Sequence, residues 1–277
     1  MIPSFCSIKM GKSNEKPGEM GALLMKLAGK VAIVTGASRG IGKGIALRYA
    51  REGAAVVLAS RSIDLLSAIA GQIAGEGGKA LAVQLDVRNY ESVENMVNKT
   101  VEHFGRLDIL VNNAGVGMAV PSLELNPKHW QRALDIDLSG VFYGCQCAAR
   151  KMIPQGGGSI INITSAFGLV AVPARAAYCA SKAGCNMLTK VLAVEWAKKK
   201  IRVNAIAPGY IRTELVQEII DKGMLAVKDI EKRTPMGRIG EVEELLGMAV
   251  YMAGDDSSFM TGSVVSIDGG WESYGYI

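Results

Sequence analysis

Tyr178 and Lys182 lie four residues apart in a stretch of helical spacing, so both side chains fall on one helix face, one turn from each other. A phenol with an ordinary pKa of about 10 is a poor base near neutral pH. A neighbouring ammonium, joined by the positive charge of a bound cofactor, favours the phenolate and fits it for acid–base work. Ser165, at the end of an apolar run, carries a hydroxyl that can bond a substrate oxygen and share it with the phenol. Spacing alone does not carry such a site, because a helical Tyr is usually core and a helical Lys usually surface.

These residues need a partner held beside them, and the stretch Leu27 to Ser62 has the form of a holder. The apolar run Val31-Ala32-Ile33-Val34 enters Thr35-Gly36-Ala37-Ser38-Arg39-Gly40-Ile41-Gly42, a helical pattern follows to Glu52, and a second apolar run covers Ala54 to Ala59. Strand, glycine turn, helix and strand in that order aim unpaired N–H groups and a positive dipole end over the turn, where a phosphate fits. The spacing is G-x-x-x-G-x-G in place of the common dinucleotide pattern G-x-G-x-x-G. The glycines divide the same tasks: Gly36 takes the tight turn, Gly40 lets backbone approach a pyrophosphate, and Gly42 lets the helix lie close on the sheet. A nucleotide-hydrolysing loop, G-x-x-x-x-G-K-[ST], is disfavoured, because counting back from Gly42-Lys43 puts Ala37 at its first glycine and Gly44 at its Ser or Thr.

The rest of the chain repeats the alternation. Ile63 to Glu76 has helical spacing, Ala80 to Leu85 is a strand, Asn89 to Phe104 an amphipathic helix, and Leu107 to Val111 a strand. A long helical pattern covers Asn126 to Met152, followed by a strand at Ser159–Ile163, a helix over Ala174 to Lys199 and a strand from Arg202 to Ile206. Residues 210–239 interrupt the rhythm with short helical pieces at Thr213–Lys222 and Ala226–Thr234, before a helix over Glu241 to Ala253 and a last strand at Ser263–Ile267. Strands joined through helices run parallel and are buried on both faces, hence continuous apolar runs. The expectation is one doubly wound, Rossmann-type α/β domain over residues 27–277 with a seven-stranded parallel sheet, preceded by a flexible tail, 1–26. Ligands in such sheets bind beyond the strand C-termini.

At those ends, Ser60 is neutral, Arg61 is a fork donor, and Arg39 in the glycine turn is a second guanidinium. An NAD site wants a carboxylate there for the adenosine ribose and an NADP site wants cations for the 2′-phosphate, so NADP is favoured over NAD; Asp64 is too far into the next helix to serve. Asp86, after the third strand, either accepts from an adenine amino group or caps the next helix. Asn112-Asn113-Ala114-Gly115 ends the fourth strand with small residues and amides, suited to a flat ligand or to a plain turn.

The 277 residues are 49% hydrophobic and 21% charged, with a net charge of +5, a composition of globular proteins. Lys198-Lys199-Lys200 falls where a helix ends, which its dipole favours, so nucleic-acid binding is not expected. No apolar run has membrane length. Cys6, Cys145, Cys147, Cys179 and Cys185 form no C-x-x-C pair and read as thiols in a reducing, cytoplasmic setting; His103 and His129 are isolated, and no metal site is expected.

Together, Thr35-Gly36-x-x-x-Gly40-x-Gly42, Asn112-Asn113-Ala114-Gly115, Ser165, Tyr178-x-x-x-Lys182 and Pro208-Gly209 resemble the short-chain dehydrogenase/reductase family of NAD(P)-dependent oxidoreductases, over about residues 27–271. The resemblance implies hydride transfer between nicotinamide C4 and a ketone or secondary alcohol. Tyr178 would be the general acid in reduction and the base in oxidation, Lys182 would hold the nicotinamide ribose, and Ser165 would orient the substrate oxygen. It further implies that Ile211 and Thr213 contact the carboxamide, that Asp86 and Val87 contact adenine, and that Ser38, Arg39 and Ile41 contact phosphate. One position departs from the pattern: in Ile136-x-Leu138-x-Gly140 the family usually places an Asn that anchors a relay water, and here it is Asp137. An ionised carboxylate accepts the same bonds but cannot donate. The resemblance also implies a homotetramer built on the helices 126–152 and 174–199 and the segment after Gly270, with Cys179 and Cys185 near such surfaces.

Substrate choice is expected from Val116–Val120, Ala166–Pro173 and the lid 210–239. Met118, Phe167, Leu169, Tyr210, Leu215, Ile219 and Met224 would line an apolar pocket, while Arg212, Lys222 and Lys228 would suit an acidic substrate. Three readings stay open: a carbonyl reductase or alcohol dehydrogenase, a 3-oxoacyl carrier-protein reductase or sugar-acid dehydrogenase, and a non-catalytic dinucleotide sensor. The intact Tyr178 and Lys182 weigh against the last.

Overall fold

A strand that reads as an unbroken apolar run must be covered on both sides, and β1 (Val31–Thr35) is buried at every residue. The computed structural model describes residues 25–275. Around β1 run β2 (Ala55–Ser60), β3 (Lys79–Gln84), β4 (Ile109–Asn112), β5 (Gly158–Ile163), β6 (Ile201–Pro208) and β9 (Val264–Ile267). They form a seven-stranded sheet in the order β3-β2-β1-β4-β5-β6-β9, every pair parallel. A separate ribbon of β7 (Ile211–Arg212) and β8 (Gly240–Glu241), too short to leave a sequence pattern, closes the base of the lid.

Successive residues of β1 serve opposite layers. Ala32 and Val34 join a cluster with Ile45 and Tyr49 of α1 (Gly40–Arg51), Leu66 of α2 (Ile63–Gly75) and Leu245 of α9 (Glu243–Ala253). Ile33 joins Met96 of α3 (Tyr90–Phe104), Cys145 of α5 (Gly140–Met152) and Cys185 of α6 (Ala176–Trp196) on the other face. Fully burying each such side chain contributes roughly 1.5–3 kcal/mol, so the two apolar layers clamp the sheet between them. The expected tail includes Met25 and Lys26, but Lys26 pairs with Asp256 at 2.5 Å and donates its N–H to Glu52, and the neighbouring Leu27 is fully buried. The remainder of that expected tail, residues 1–24, lies outside the described residues.

Two long helices differ from their periodicity. The pattern Asn126–Met152 is α4 (Pro127–Leu134), a π-helical turn Asp135–Ser139 and then α5. α6 starts at Ala176, two residues after the expected Ala174, because Ala174 sits in the left-handed region at φ 60°; after Trp196 the chain tightens into a 3₁₀ turn, Ala197–Lys199. The lid carries α7 (Glu214–Asp221) and α8 (Val227–Arg233).

The strand order reverses between β1 and β4, since β2 and β3 lie to one side and β4 to β9 to the other. That reversal opens a crevice past their C-terminal ends, where ligands of open α/β sheets bind.

Candidate functional site

The glycine turn is built against the end of β4. A Cβ on Gly36, at φ 66°, would lie 2.8 Å from Asn113 Nδ2, and one on Gly42 would lie 2.5 Å from the Gly36 carbonyl oxygen. No larger residue fits either place without moving backbone. Asn113 uses its amide to hold this turn, donating to the Thr35 carbonyl at 2.9 Å and the Gly36 carbonyl at 3.3 Å. The N–H groups of Asn113 and Ala114 donate to Thr35 Oγ1 at 3.0 and 3.1 Å. Asn113 therefore shapes the cradle, with its amide already engaged.

Gly40, at φ 56°, opens α1, and its N–H donates to Glu214 Oε2 of the lid at 2.8 Å, with Thr213 packed beside it. Arg39 precedes it in extended conformation and gives α1 no side-chain cap, and Ile41 and Ser38 stand half-buried beside it. Once the Glu214 carboxylate gives up the Gly40 N–H, the cradle offers a helix N-terminus, close glycine backbone and an exposed guanidinium, a set that fits a dinucleotide pyrophosphate.

Farther out, Ser60 Oγ accepts the Ser62 N–H, and Arg61 is exposed and makes no ion pair with another described residue. Asp86 does not cap the next helix: Asn89 does, accepting the Ser92 N–H at 3.0 Å. Asp86 instead grips Arg88 through Nη2 at 2.6 Å and Nε at 3.0 Å, and Arg88 holds its carboxyl below the ordinary carboxylate range. Arg88, which the sequence pattern does not single out, precedes the cap Asn89 and spends its guanidinium on Asp86. Val87 is half-buried, with its carbonyl against Gly140, where a Cβ would lie 2.9 Å away.

Tyr178 stands half-buried in the first turn of α6, and Lys182 one turn on is only 4% exposed. Lys182 Nζ lies 5.7 Å from the centre of the Tyr178 ring and donates to the Ile163 carbonyl at 3.0 Å. Ser165 caps a 3₁₀ turn, Ala166–Gly168, its Oγ accepting the Phe167 N–H at 3.1 Å. The three are therefore together, on β5 and α6 beside the crevice. Phe167 connects them to an aromatic group: its ring meets Tyr178 edge-on at 6.3 Å, Tyr210 at 5.5 Å and Trp271 at 6.1 Å. Burial pushes the Tyr210 phenol up, against the Arg175 guanidinium beside it. Trp271 escaped the sequence reading because an aromatic after Gly269-Gly270 near a chain end resembles a surface residue. Its place just beyond the last strand was the usable signal.

Behind Lys182 lies Asp137, fully buried in the π-helical turn. Its Oδ1 accepts the Val116 N–H at 2.9 Å and lies 3.9 Å from Lys182 Nζ, while Oδ2 has no partner. Burial pushes the Asp137 carboxyl up, with Lys182 and the Val116 N–H pulling it back. At Lys182 burial acts to lower the ammonium, but Asp137, Tyr178 and Cys185 outweigh it and leave it raised. Gly115 is required between these groups, since a Cβ there would lie 2.8 Å from Asp137 Oδ1. The Asp137 carbonyl is also engaged, by the Cys185 thiol at 2.8 Å. Burial pushes that thiol up to about 11, so it remains a donor. Cys185 is thus 1% exposed and internal, contrary to its expected place near a subunit surface.

On the remaining side, Pro208 is buried, and a Cβ on Gly209 would meet Asp268 at 2.8 Å. Ile211 is 6% exposed, and Thr213 caps α7 by accepting the Val216 N–H. Among the residues expected to line the substrate pocket, Met224 is 66% exposed and faces solvent. Arg212 is engaged by Glu241 at 3.2 Å and Gln217 at 2.8 Å and is not available to an acidic substrate.

A family model described as enoyl-(acyl carrier protein) reductase matches residues 36–272. A 3-oxoacyl-[acyl-carrier-protein] reductase of Thermotoga maritima is 38% identical over 246 residues, covering 89% of this chain and 99% of that protein. Two solved structures share the fold. A short-chain type dehydrogenase/reductase from Mycobacterium marinum is 44% identical with a TM-score of 0.85, covering 90% of this chain and 97% of that one. A gluconate 5-dehydrogenase from Burkholderia cenocepacia, in complex with NADP and tartrate, is 37% identical with a TM-score of 0.85, covering 91% and 98%. With the glycine cradle and the tyrosine–lysine pair set in the crevice of a parallel sheet, these matches make the chain a member of the short-chain dehydrogenase/reductase family, an oxidoreductase acting on CH–OH and C=O groups.

Proposed function

We propose that the protein is an NADP(H)-dependent carbonyl reductase or alcohol dehydrogenase in which Tyr178 is the general acid and base, Lys182 holds the nicotinamide ribose and Ser165 orients the substrate oxygen. The observation that supports this most is the buried Lys182 ammonium 5.7 Å from the Tyr178 ring, beside the crevice that the glycine turn lines. When bound, the nicotinamide supplies or takes a hydride at C4. In reduction the Tyr178 hydroxyl gives its proton to the carbonyl oxygen, which the Ser165 hydroxyl steadies; in oxidation the phenolate takes that proton back. A panel of ketones and secondary alcohols incubated with each dinucleotide tests the reading: absence of any dinucleotide-dependent turnover would refute it.

The preference for NADP rests on two exposed guanidiniums, Arg39 in the glycine turn and Arg61 after β2, with the Asp86 carboxylate already held by Arg88. Arg61→Ala is expected to weaken NADPH binding roughly tenfold, the scale of one exposed charge-assisted bond to phosphate, and to leave NADH binding within twofold. Fluorescence titration with both dinucleotides checks this, and an equal loss for the two would show that Arg61 does not read the 2′-phosphate. We also propose a homotetramer in the cytoplasm. Its support is the exposed apolar row Met187, Val191 and Val194 on α6, 59%, 45% and 81% exposed, together with the free thiols. A light-scattering mass other than that of four chains would overturn the assembly, and detection outside the cytoplasm in fractionated cells would overturn the location.

A further inference from the structure

Phe167, 8% exposed, is the centre of an aromatic cluster that reaches the acid–base residue. Tyr178, Tyr210 and Trp271 adjoin it, each half-buried, at ring separations of 6.3, 5.5 and 6.1 Å, and Tyr210 touches Trp271 at 5.3 Å with planes inclined by 64°. The rings come from separate segments: the turn after β5, the start of α6, the link between β6 and β7, and the chain after β9. Trp271 is fixed from the lid. Arg233 of α8 lies 4.8 Å above its ring and donates Nη1 to its carbonyl oxygen at 3.1 Å. Phe167 packs on all three, and the partly exposed rings of Tyr178, Tyr210 and Trp271 leave apolar ring surface on which a further ring packs.

We propose that the exposed side of this cluster is a ring-binding subsite, and that the substrate is a cyclic ketone or secondary alcohol whose reacting carbon belongs to the ring or is bonded to it. This rests on the oxidoreductase reading above and adds the substrate class. A ring lying on the cluster brings its carbonyl to the Tyr178 hydroxyl while its carbons cover Tyr210 and Trp271, removing apolar surface from water on both partners. An open-chain polyhydroxy acid is poorly served here, because hydroxyls turned toward these rings would lose their bonds to water without finding others. Of the cations suited to a carboxylate, Arg212 is bound to Glu241 and Gln217, and the Arg175 guanidinium beside Tyr210 is bonded to that phenol. Trp271 is then a specificity-determining residue, positioned by Arg233.

The test compares kcat/KM for cyclohexanone, for 2-hexanone, which has the same number of carbons in an open chain, and for 5-ketogluconate, each with NADPH. The wild-type protein is expected to prefer cyclohexanone to 2-hexanone by about tenfold or more, on the scale that one well-shaped apolar contact discriminates. In Trp271→Leu that ratio should fall below about threefold, and in Trp271→Phe, which keeps a ring, it should be largely retained. Because the readout is a ratio within one variant, a general loss of activity does not move it. A wild-type ratio near one, or a ratio unchanged in Trp271→Leu, overturns the inference. Turnover of 5-ketogluconate with neither ketone reduced overturns it too, while leaving hydride transfer in place; absence of turnover on all three and on the matching alcohols overturns both.

Discussion

Tyr178→Phe is expected to lower kcat by about 10²- to 10⁴-fold, the contribution of a positioned proton donor, while dinucleotide affinity changes by no more than a few-fold. The substitution removes one oxygen and leaves the ring, so the edge-on contact with Phe167 and the backbone of α6 are retained. What disappears is the hydroxyl that delivers the proton to the nascent alkoxide. Ser165 does not replace it, because an aliphatic hydroxyl is a far weaker acid than a phenol. Steady-state rates with an active ketone, beside fluorescence titration with NADPH, separate lost chemistry from lost binding. A Phe variant within tenfold of the wild-type kcat would remove Tyr178 from the mechanism.

That tyrosine was legible because chemistry and topology agree about it. Tyr178 and Lys182 are one helical turn apart, Ser165 lies just past a strand end, and doubly wound sheets gather their ligands at those ends. The strands were legible for a related reason: β1 and β2 feed apolar layers on both faces, so their runs are unbroken and cannot be mistaken for half-exposed strands. Two-residue β7 and β8 carry no periodicity to read. The π-helical turn at Asp135–Ser139 left no trace either, since Asp-Ile-Asp-Leu-Ser preserves helical apolar spacing, and the cause of the turn is tertiary. There Asp137 must reach Lys182 and Val116, and Gly140 must pass close to Val87, where a Cβ would lie 2.9 Å from the carbonyl. The role of Asn113 was half visible. Its type suits a close approach to ligand, but the partners of its amide, the Thr35 and Gly36 carbonyls, lie some 77 positions away in sequence.

Asp137 carries the second large effect. Its carboxylate is the only acid near the Lys182 ammonium among the described residues, with Cys185 and Tyr178 on α6 as the other titratable groups facing the pair. Asp137→Ala leaves that ammonium with only the Ile163 carbonyl and leaves the Val116 N–H without an acceptor, so unfolding free energy should fall by roughly 3 kcal/mol, at the lower end for a broken buried pair. Asp137→Asn keeps an acceptor for Val116 and removes only the charge, which makes it the sharper probe of catalysis. Burial raises the Asp137 carboxyl, so as pH falls it takes up a proton earlier than an ordinary Asp and Lys182 loses its counter-charge there. The wild-type protein should therefore lose kcat/KM on the acid side at a pH above the usual carboxylate range, whereas Asp137→Asn, with no proton to take up, should lack that limb and show a lower plateau throughout. Rates across about pH 5 to 9 resolve the two profiles. An acid limb unchanged in the Asn variant would assign the titration to another group and leave Asp137 with a purely structural part, which the melting of the Ala variant measures separately.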